Sequence, residues 1–162
     1  MDIDLSFIQN ANFLRSIKEY LEKLFQIEEK IQGILLFGSL ARGEAIYSER
    51  EISDIDLIVI FSDGELPNDH IERSRIKRES MNLALLGFDS IWMTKTEFEK
   101  SVQIKMDIIL SCLDEGKILY DPNDLIKNQK NKLIRELKEK GVKKRSNYWI
   151  WPLRKLGDEI EW

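Results

Sequence analysis

The sequence predicts a single-domain protein of the α/β or α+β class, in which helices alternate with the strands of one β-sheet. Its 162 residues suit one domain that buries a core without disulfides. Apolar residues switch repeatedly between helical spacing and the short continuous runs typical of buried strands. The hydrophobic fraction of 43% and charged fraction of 33% are those of an ordinary soluble globular protein.

The first part of the chain is predicted to contain two helices and two strands. Apolar residues recur at spacings of three and four over residues 6–29, which predicts a helix. The apolar run Ile31–Phe37 is typical of a buried strand, and residues 39–45 begin a short helix. A polar loop at 47–53 precedes the clearest strand, Ile55–Phe61, whose residues are strong β-formers.

The rest of the chain continues the alternation. It is predicted to contain a helix at 68–86, a strand at 88–93, a helix at 94–115, a short strand at 118–120 and a long basic helix at 122–140. Gly87 and Gly116 end the first two of these helices. In the tail that follows, Trp149 and Trp151 fit either stacking on a base or acceptor ring, or packing anchors.

Several classes of protein and site are excluded. No apolar stretch is long enough to cross a membrane, and the N-terminus lacks the features of a signal peptide, so we expect a cytoplasmic protein. One cysteine, Cys112, and one histidine, His70, cannot form a disulfide or a Cys/His zinc site within the chain. We expect Cys112 in the core and His70 on the surface, and any metal must be held by oxygen ligands.

The net charge of −4 hides a basic segment. Residues 127–145 contain nine basic and two acidic side chains, an excess of seven positive charges. Such a segment is either a solvated helix face or a surface that binds phosphates or an acidic partner.

The chemistry is concentrated first in the stretch Leu36-Phe37-Gly38-Ser39-Leu40-Ala41-Arg42. Gly38 ends a strand and permits a tight turn into a helix, whose first N–H groups and Ser39 hydroxyl can bind a triphosphate. The spacing and the lysine of a Walker-type loop are absent. Arg42 either reaches a phosphate or forms a surface ion pair with Glu44 or Glu49.

A pair of carboxylates follows in Ser53-Asp54-Ile55-Asp56. Asp54 and Asp56 are two apart on a predicted strand, so both project from the same face while Ile55 points into the core. Neighbouring carboxylates repel unless a cation joins them. Mg²⁺, which binds one or two carboxylates together with substrate phosphates, is the natural cation.

Asp89 is a candidate third carboxylate, since it begins another predicted strand. If that strand lies beside the first, Asp89 approaches the pair and either ligates a second metal or takes a proton from an attacking hydroxyl. The alternative is a carboxylate that bonds nearby backbone groups.

These motifs resemble the signature of the DNA polymerase β-like nucleotidyltransferases. The Gly38-Ser39 turn and Asp54-x-Asp56 carry the resemblance, and the strand of Asp89 resembles the third-carboxylate strand of the small, minimal members. The resemblance spans about residues 31–120. It implies an α+β nucleotidyltransferase fold with a small mixed sheet flanked by helices, preceded by an extra N-terminal helix (1–30) and followed by a basic helical extension (121–162). It also implies Gly38 and Ser39 on the triphosphate, Asp54 and Asp56 on metal, and Asp89 as the third acidic residue.

The activity implied by the resemblance is transfer of a nucleoside monophosphate, AMP from ATP, onto an acceptor hydroxyl, with Mg²⁺ or Mn²⁺ and release of pyrophosphate. Three acceptors stay open: a small molecule resembling an aminoglycoside, a tyrosine of a HEPN-type toxin for which minimal members act as antitoxin, and a nucleic-acid end, which only residues 127–145 favour. The rival is a catalytically silent module that binds a nucleotide or a partner protein.

Overall fold

A computed structural model describes residues 3–27, 30–81, 87–145 and 148–152. Six helices and six strands occur in these ranges, in chain order α1 Ala11–Ile27, β1 Ile31–Phe37, α2 Gly38–Arg42, β2 Ile55–Phe61, α3 His70–Met81, β3 Phe88–Thr94, α4 Lys95–Gln103, α5 Asp107–Glu115, β4 Lys117–Tyr120, α6 Leu125–Glu139, β5 Lys143–Arg145 and β6 Tyr148–Ile150. None of the helices in these ranges combines the length and apolarity needed to span a bilayer.

The main sheet has four strands in the order β3-β2-β1-β4. Strand β1 runs antiparallel to β2 and β4, whereas β3 runs parallel to β2. The sheet is therefore mixed, and with its flanking helices it gives the α+β architecture, a small mixed sheet flanked by helices, that the resemblance implies.

Helices cover both faces of this sheet, which explains the continuous apolar run of β2. Leu57 and Val59 pack in a cluster with residues of α1. Ile58 and Ile60 pack on the opposite face in a second cluster, with residues of α4, α5 and α6. All four side chains are fully buried, because successive residues of a strand alternate between two covered faces.

The N-terminal helix is shorter than predicted. It begins at Ala11 rather than at residue 6, because the Asn10 side-chain oxygen accepts the N–H groups of Asn12 at 2.9 Å and Phe13 at 3.4 Å. This is the arrangement of an N-cap residue, the last non-helical residue before a helix begins. Leu5 and Ile8 precede the helix and still pack in the core.

The single helix predicted at 94–115 is wrong: the structure has two helices, α4 and α5. The chain leaves the helical path at Lys105, whose φ is +53°. The N–H groups of Lys105 and Met106 turn back to the carbonyls of Val102 and Ser101 at 3.1 and 3.2 Å, a Schellman ending. An apolar stripe continues across this break, so periodicity alone did not reveal it.

The C-terminal region is helical only in part. Helix α6 begins at Leu125. The carboxylate of Asp121 accepts the N–H groups of Ile126 and Lys127 at the start of this helix, at 3.1 and 2.9 Å. After α6, strands β5 and β6 form a separate antiparallel pair in which Lys144 lies opposite Trp149. The basic helix predicted at 122–140 is present as α6, and the two short strands that follow it were not predicted. Trp162 and the predicted end of the helix at 82–86 lie outside the described residues.

Candidate functional site

The turn between β1 and α2 lies directly against a carboxylate. Phe37 is the register partner of Asp56 on β2, and Gly38 follows with φ +68°. A Cβ placed on Gly38 would lie 1.9 Å from Oδ2 of Asp56. The position requires glycine both for its left-handed backbone and for this close approach.

Asp56 faces the side of the sheet covered by α4, α5 and α6. It is two residues before Ile58, which packs in the cluster on that side, and side chains two apart share a face. The charge of Asp56 also helps to raise the pKa of the Cys112 thiol on α5. Ile55, between the two acids, points the other way and is fully buried, as the sequence predicts.

Asp54 lies just before β2 rather than on it, because the strand begins at Ile55. Its position is set by the backbone before β3: the Ile55 N–H donates to the Gly87 carbonyl at 2.9 Å. A Cβ on Gly87 would lie 2.0 Å from Oδ1 of Asp54. Asp54 is therefore held against one glycine, as Asp56 is held against another.

Asp89 occurs where the third carboxylate was expected. Strand β3 lies beside β2, and Asp89 is the direct register partner of Asp56. Neighbouring strands are about 4.8 Å apart, and Asp89 shares the face of Ile91 and Met93, which also pack toward α4. We call Gly38, Asp54, Asp56 and Asp89 the acidic cluster.

The acidic cluster carries unbalanced negative charge. Burial raises the pKa of Asp56, repulsion by Asp89 and Asp54 raises it further, and the charge of Arg42 opposes the change. Within the described ranges, no three His, Cys, Asp or Glu side chains stand close enough to hold a metal ion by themselves. Mg²⁺ commonly takes only one or two carboxylates and completes its shell with water and substrate phosphates, so these acids fit a metal that arrives with a nucleotide.

Arg42 lies at the end of α2 in an ion-pair network. Its Nε donates to Glu44 at 2.7 Å and its Nη1 to Glu115 at 3.4 Å, and Glu115 also pairs with Lys144 of β5. Of the two surface pairs expected for Arg42, the structure shows the one with Glu44 and not the one with Glu49. The Arg42 side chain is 40% exposed, and its charge opposes the rise in the pKa of Asp56.

Ser39 follows Gly38 in the first turn of α2 and is half-buried. Its carbonyl accepts the N–H of Glu44 at 2.9 Å, which closes the short helix. Its hydroxyl forms no hydrogen bond with any residue that the structure describes, so this oxygen is available to a ligand.

Helix α3 fixes the free edge of β3, a role that the sequence did not indicate. Arg73 is buried and donates to the Trp92 carbonyl at 3.1 Å. One turn later, Lys77 donates to the Ser90 carbonyl at 2.5 Å. Residues four apart on a helix share a face, so together they cover the outward carbonyls of this edge strand and hold Asp89 in register. Side-chain types do not indicate which carbonyls of an edge strand point outward. The sequence therefore offers no reason to distinguish Arg73 and Lys77 from ordinary surface cations.

Lys77 also adds positive charge beside the acidic cluster. Partial burial lowers the pKa of its ammonium, and the attraction of Asp89 opposes that change. Gly87 likewise was not predicted as a site residue, since its position in the sequence indicated only a helix end.

One cysteine, one histidine and two tryptophans lie in the surroundings that the sequence predicts for them. Cys112 is fully buried, and burial raises the pKa of its thiol to about 12, as expected for a core cysteine. His70 is exposed at the start of α3. Trp149 and Trp151 are half-buried and pack against the second cluster, which matches their interpretation as packing anchors, and the Lys144 ammonium lies 5.9 Å from the Trp149 ring.

Residues 16–125 match the family described as Polymerase beta, Nucleotidyltransferase. The chain belongs to this family. The match covers most of α1, the four-stranded sheet and all the residues of the acidic cluster, together with Ser39 and Arg42. Comparison with curated proteins gives no match.

Several solved structures are similar to this chain, and the first of them supports the fold. A chain from the crystal structure of a toxin–antitoxin with AMP-PNP is 20% identical, with a TM-score of 0.51 over 75% of this chain and 86% of that one. A chain from the complex of tri-AMPylated Shewanella oneidensis HEPN toxin with MNT antitoxin is 18% identical, with a TM-score of 0.49 over 80% and 88%. Spectinomycin adenyltransferase AAD(9) from Enterococcus faecialis, with ATP and spectinomycin, is 15% identical, with a TM-score of 0.46 over 81% and 66%.

Proposed function

We propose that this member of the family transfers a nucleoside monophosphate, AMP from ATP, onto an acceptor hydroxyl and releases pyrophosphate. The observation that carries the proposal is the contact between the Gly38 turn and the Asp56 carboxylate, with Asp89 in register beside it. The proposed phosphate-binding turn then lies next to acids that favour a cation, and nucleotidyl transfer requires both.

The triphosphate would lie along the start of α2. Glycine at position 38 would let the backbone approach the phosphates closely, and the Ser39 hydroxyl, which bonds to none of the described residues, would supply a donor. Arg42 adds positive charge nearby, although in the structure it is shared between Glu44 and Glu115. Loss of one of these exposed ion pairs costs little folding free energy, so Arg42 can exchange a carboxylate for a phosphate oxygen.

Asp54 and Asp56, with Asp89, would hold Mg²⁺ or Mn²⁺. Held by these residues, the metal would neutralise charge on the phosphates and on the leaving pyrophosphate. In the reaction, the acceptor oxygen forms a bond to the α-phosphorus as the bond to the β-phosphate oxygen breaks. Asp89, which is exposed, would accept the hydroxyl proton if it does not itself ligate the metal. Positioning by the two glycine contacts and by the edge of β3 keeps these groups in register during the displacement.

The acceptor is tested with three classes of substrate. The resemblance to the minimal members makes a HEPN-type protein the first, an aminoglycoside-like compound the second and a nucleic-acid end, tested as RNA, the third. Each is incubated with α-labelled ATP and Mg²⁺, using the wild type, Asp54→Asn, Asp56→Asn and the control Asp107→Asn, which alters an exposed acid at the start of α5.

We expect label on one acceptor class with the wild type and with Asp107→Asn, and none above background with the two cluster variants. Equal labelling by Asp54→Asn or Asp56→Asn would refute the assignment. Mg²⁺-dependent ATP binding without labelling of any acceptor would instead favour the silent binding module.

A further inference from the structure

A groove of about 840 Å³ lies between α4 and α6, away from the acidic cluster. Helix α4 follows the C-terminal end of β3, whereas Asp89 lies near the beginning of that strand. The groove wall includes Lys100, Lys105 and Lys132, with Gln103, Gln129 and Glu136. Its volume is that of small-molecule sites in proteins.

Lys105 occupies a backbone position that usually belongs to glycine. It ends α4 with φ +53°, in a Schellman turn. Helix α6 ends in the same hydrogen-bonding pattern, with the N–H groups of Gly141 and Val142 donating to Lys138 and Leu137, and there the left-handed residue is a glycine. A residue other than glycine is strained in this left-handed conformation. Backbone strain of this kind is often found at functional positions.

The ammonium of Lys105 is buried and incompletely bonded. Its side chain is only 4% exposed, yet an ammonium has three donors. In the part of the chain that the structure describes, its partners are the Gln103 carbonyl at 3.3 Å and the Glu136 carboxylate at 3.4 Å. Charge-assisted bonds are normally about 2.7–2.9 Å long, so the two contacts are weak for a buried charge.

Other charged side chains line the groove beside the Lys105 ammonium. Lys100 and Lys132 form no ion pair with a described residue, and both lie on the groove wall. The Glu136 side chain is 34% exposed, so its carboxylate can leave the Lys105 ammonium and remain in contact with solvent. The whole wall carries four lysines against two glutamates, Lys100, Lys105, Lys132 and Lys140 against Glu99 and Glu136. The groove is therefore net positive, and the contacts of the buried Lys105 ammonium with described residues are long.

We propose that the groove between α4 and α6 binds a phosphate-bearing small anion, with Lys105 as its main contact. Phosphate oxygens would replace the long contacts of Lys105 with short charge-assisted bonds, and Glu136 would be displaced from the ammonium. The proposal does not depend on the activity of the acidic cluster. The ordinary alternative is that Lys105 serves only to tie α4 to α6.

The test is site-resolved NMR titration with pyrophosphate, inorganic phosphate and AMP as separate probes. The background is Asp54→Asn/Asp56→Asn without divalent metal, which suppresses binding at the acidic cluster. Backbone amide shifts report on groove residues directly. Variants Lys105→Gly, which suits the left-handed backbone, and Glu136→Gln are compared with the control Lys138→Ala, an exposed lysine of α6 outside the groove wall.

We expect at least one probe to shift the groove amides with saturation. Lys105→Gly should weaken that binding about tenfold or more, the effect of losing a charged hydrogen bond. Glu136→Gln should strengthen it, and Lys138→Ala should leave it unchanged. Inorganic phosphate binding as well as pyrophosphate would mark a single phosphate as the ligand group, whereas a preference for AMP would mark a nucleotide.

Two results would overturn the proposal. One is no saturable shift of groove amides by any probe up to about 10 mM, well above the range of a specific small-anion site. The other is equal affinity of the Lys105→Gly variant and the Lys138→Ala control, since Lys105 would then act only as a structural tie.

Discussion

Replacing Gly38 with alanine should impair both stability and nucleotide handling. The left-handed backbone, with φ +68°, makes any L side chain cost about 1–2 kcal/mol of unfolding free energy. The new Cβ would also lie 1.9 Å from the Asp56 carboxylate, whereas ordinary contact begins at 3.4 Å, so the carboxylate must retreat by about 1.5 Å. A misplacement of about 1 Å can cost about 100-fold in catalysis.

Gly43→Ala is the matched control for this prediction. Gly43 also has a left-handed backbone, with φ +76°, but no neighbouring atom lies within 4 Å of the place that an added Cβ would take. Gly43→Ala should therefore lose only the backbone contribution to stability, about 1–2 kcal/mol, and keep its metal-dependent ATP affinity. Urea unfolding measures the first quantity, and calorimetric titration with a non-hydrolysable ATP analogue and Mg²⁺ measures the second. Equal ATP affinity in the two alanine variants would refute the close approach of Gly38 to Asp56.

Three further predictions concern charge and burial. In metal-free buffer at pH 7, Asp56→Asn should raise stability by up to about 1 kcal/mol, because the raised pKa of Asp56 makes its ionised form costly in the fold; the gain should vanish as pH falls below about 4, where the unfolded carboxyl is protonated. A gain that persists at pH 3 would contradict this cause. Arg73→Met should lower the free energy of unfolding by about 2–4 kcal/mol because it removes a buried, bonded cation, whereas Arg75→Met should cost less than about 0.5 kcal/mol because its ion pair is exposed; similar losses would show that burial does not decide the difference. The Cys112 thiol, with its pKa raised to about 12, should react with a thiol reagent at pH 8 only after urea unfolding, and rapid labelling of the native protein would be the contrary result.

The central features of the site could be predicted because they depend on local rules. The rule that residues two apart on a strand share a face places Asp56 with Ile58, whereas Asp54 lies just before β2 and is positioned by its approach to Gly87. The apolar run of β2 predicted a strand covered on both sides. Asp89 required one further condition, that β3 pairs with β2, and the observed parallel register supplies it.

The features that were missed depend on long-range contacts or on special backbone conformations. The break after α4 rests on Lys105 in a left-handed conformation, for which the sequence offers no glycine as a signal. The β5–β6 pair has three residues per strand, too few to show a period of two. The bonding of Lys77 to the edge of β3 joins residues from two elements, so no pattern within either element predicts it.

A divalent metal that joins the acids of the cluster to a nucleotide held at the Gly38 turn is the central requirement of the proposed function. A crystal structure with Mn²⁺ and a non-hydrolysable ATP analogue tests this directly, since anomalous scattering locates the metal. We expect a Mn²⁺ peak about 2.1–2.2 Å from oxygens of Asp54 and Asp56, with the triphosphate against Gly38 and Ser39. A nucleotide bound elsewhere, or a metal that touches neither carboxylate, would contradict this requirement.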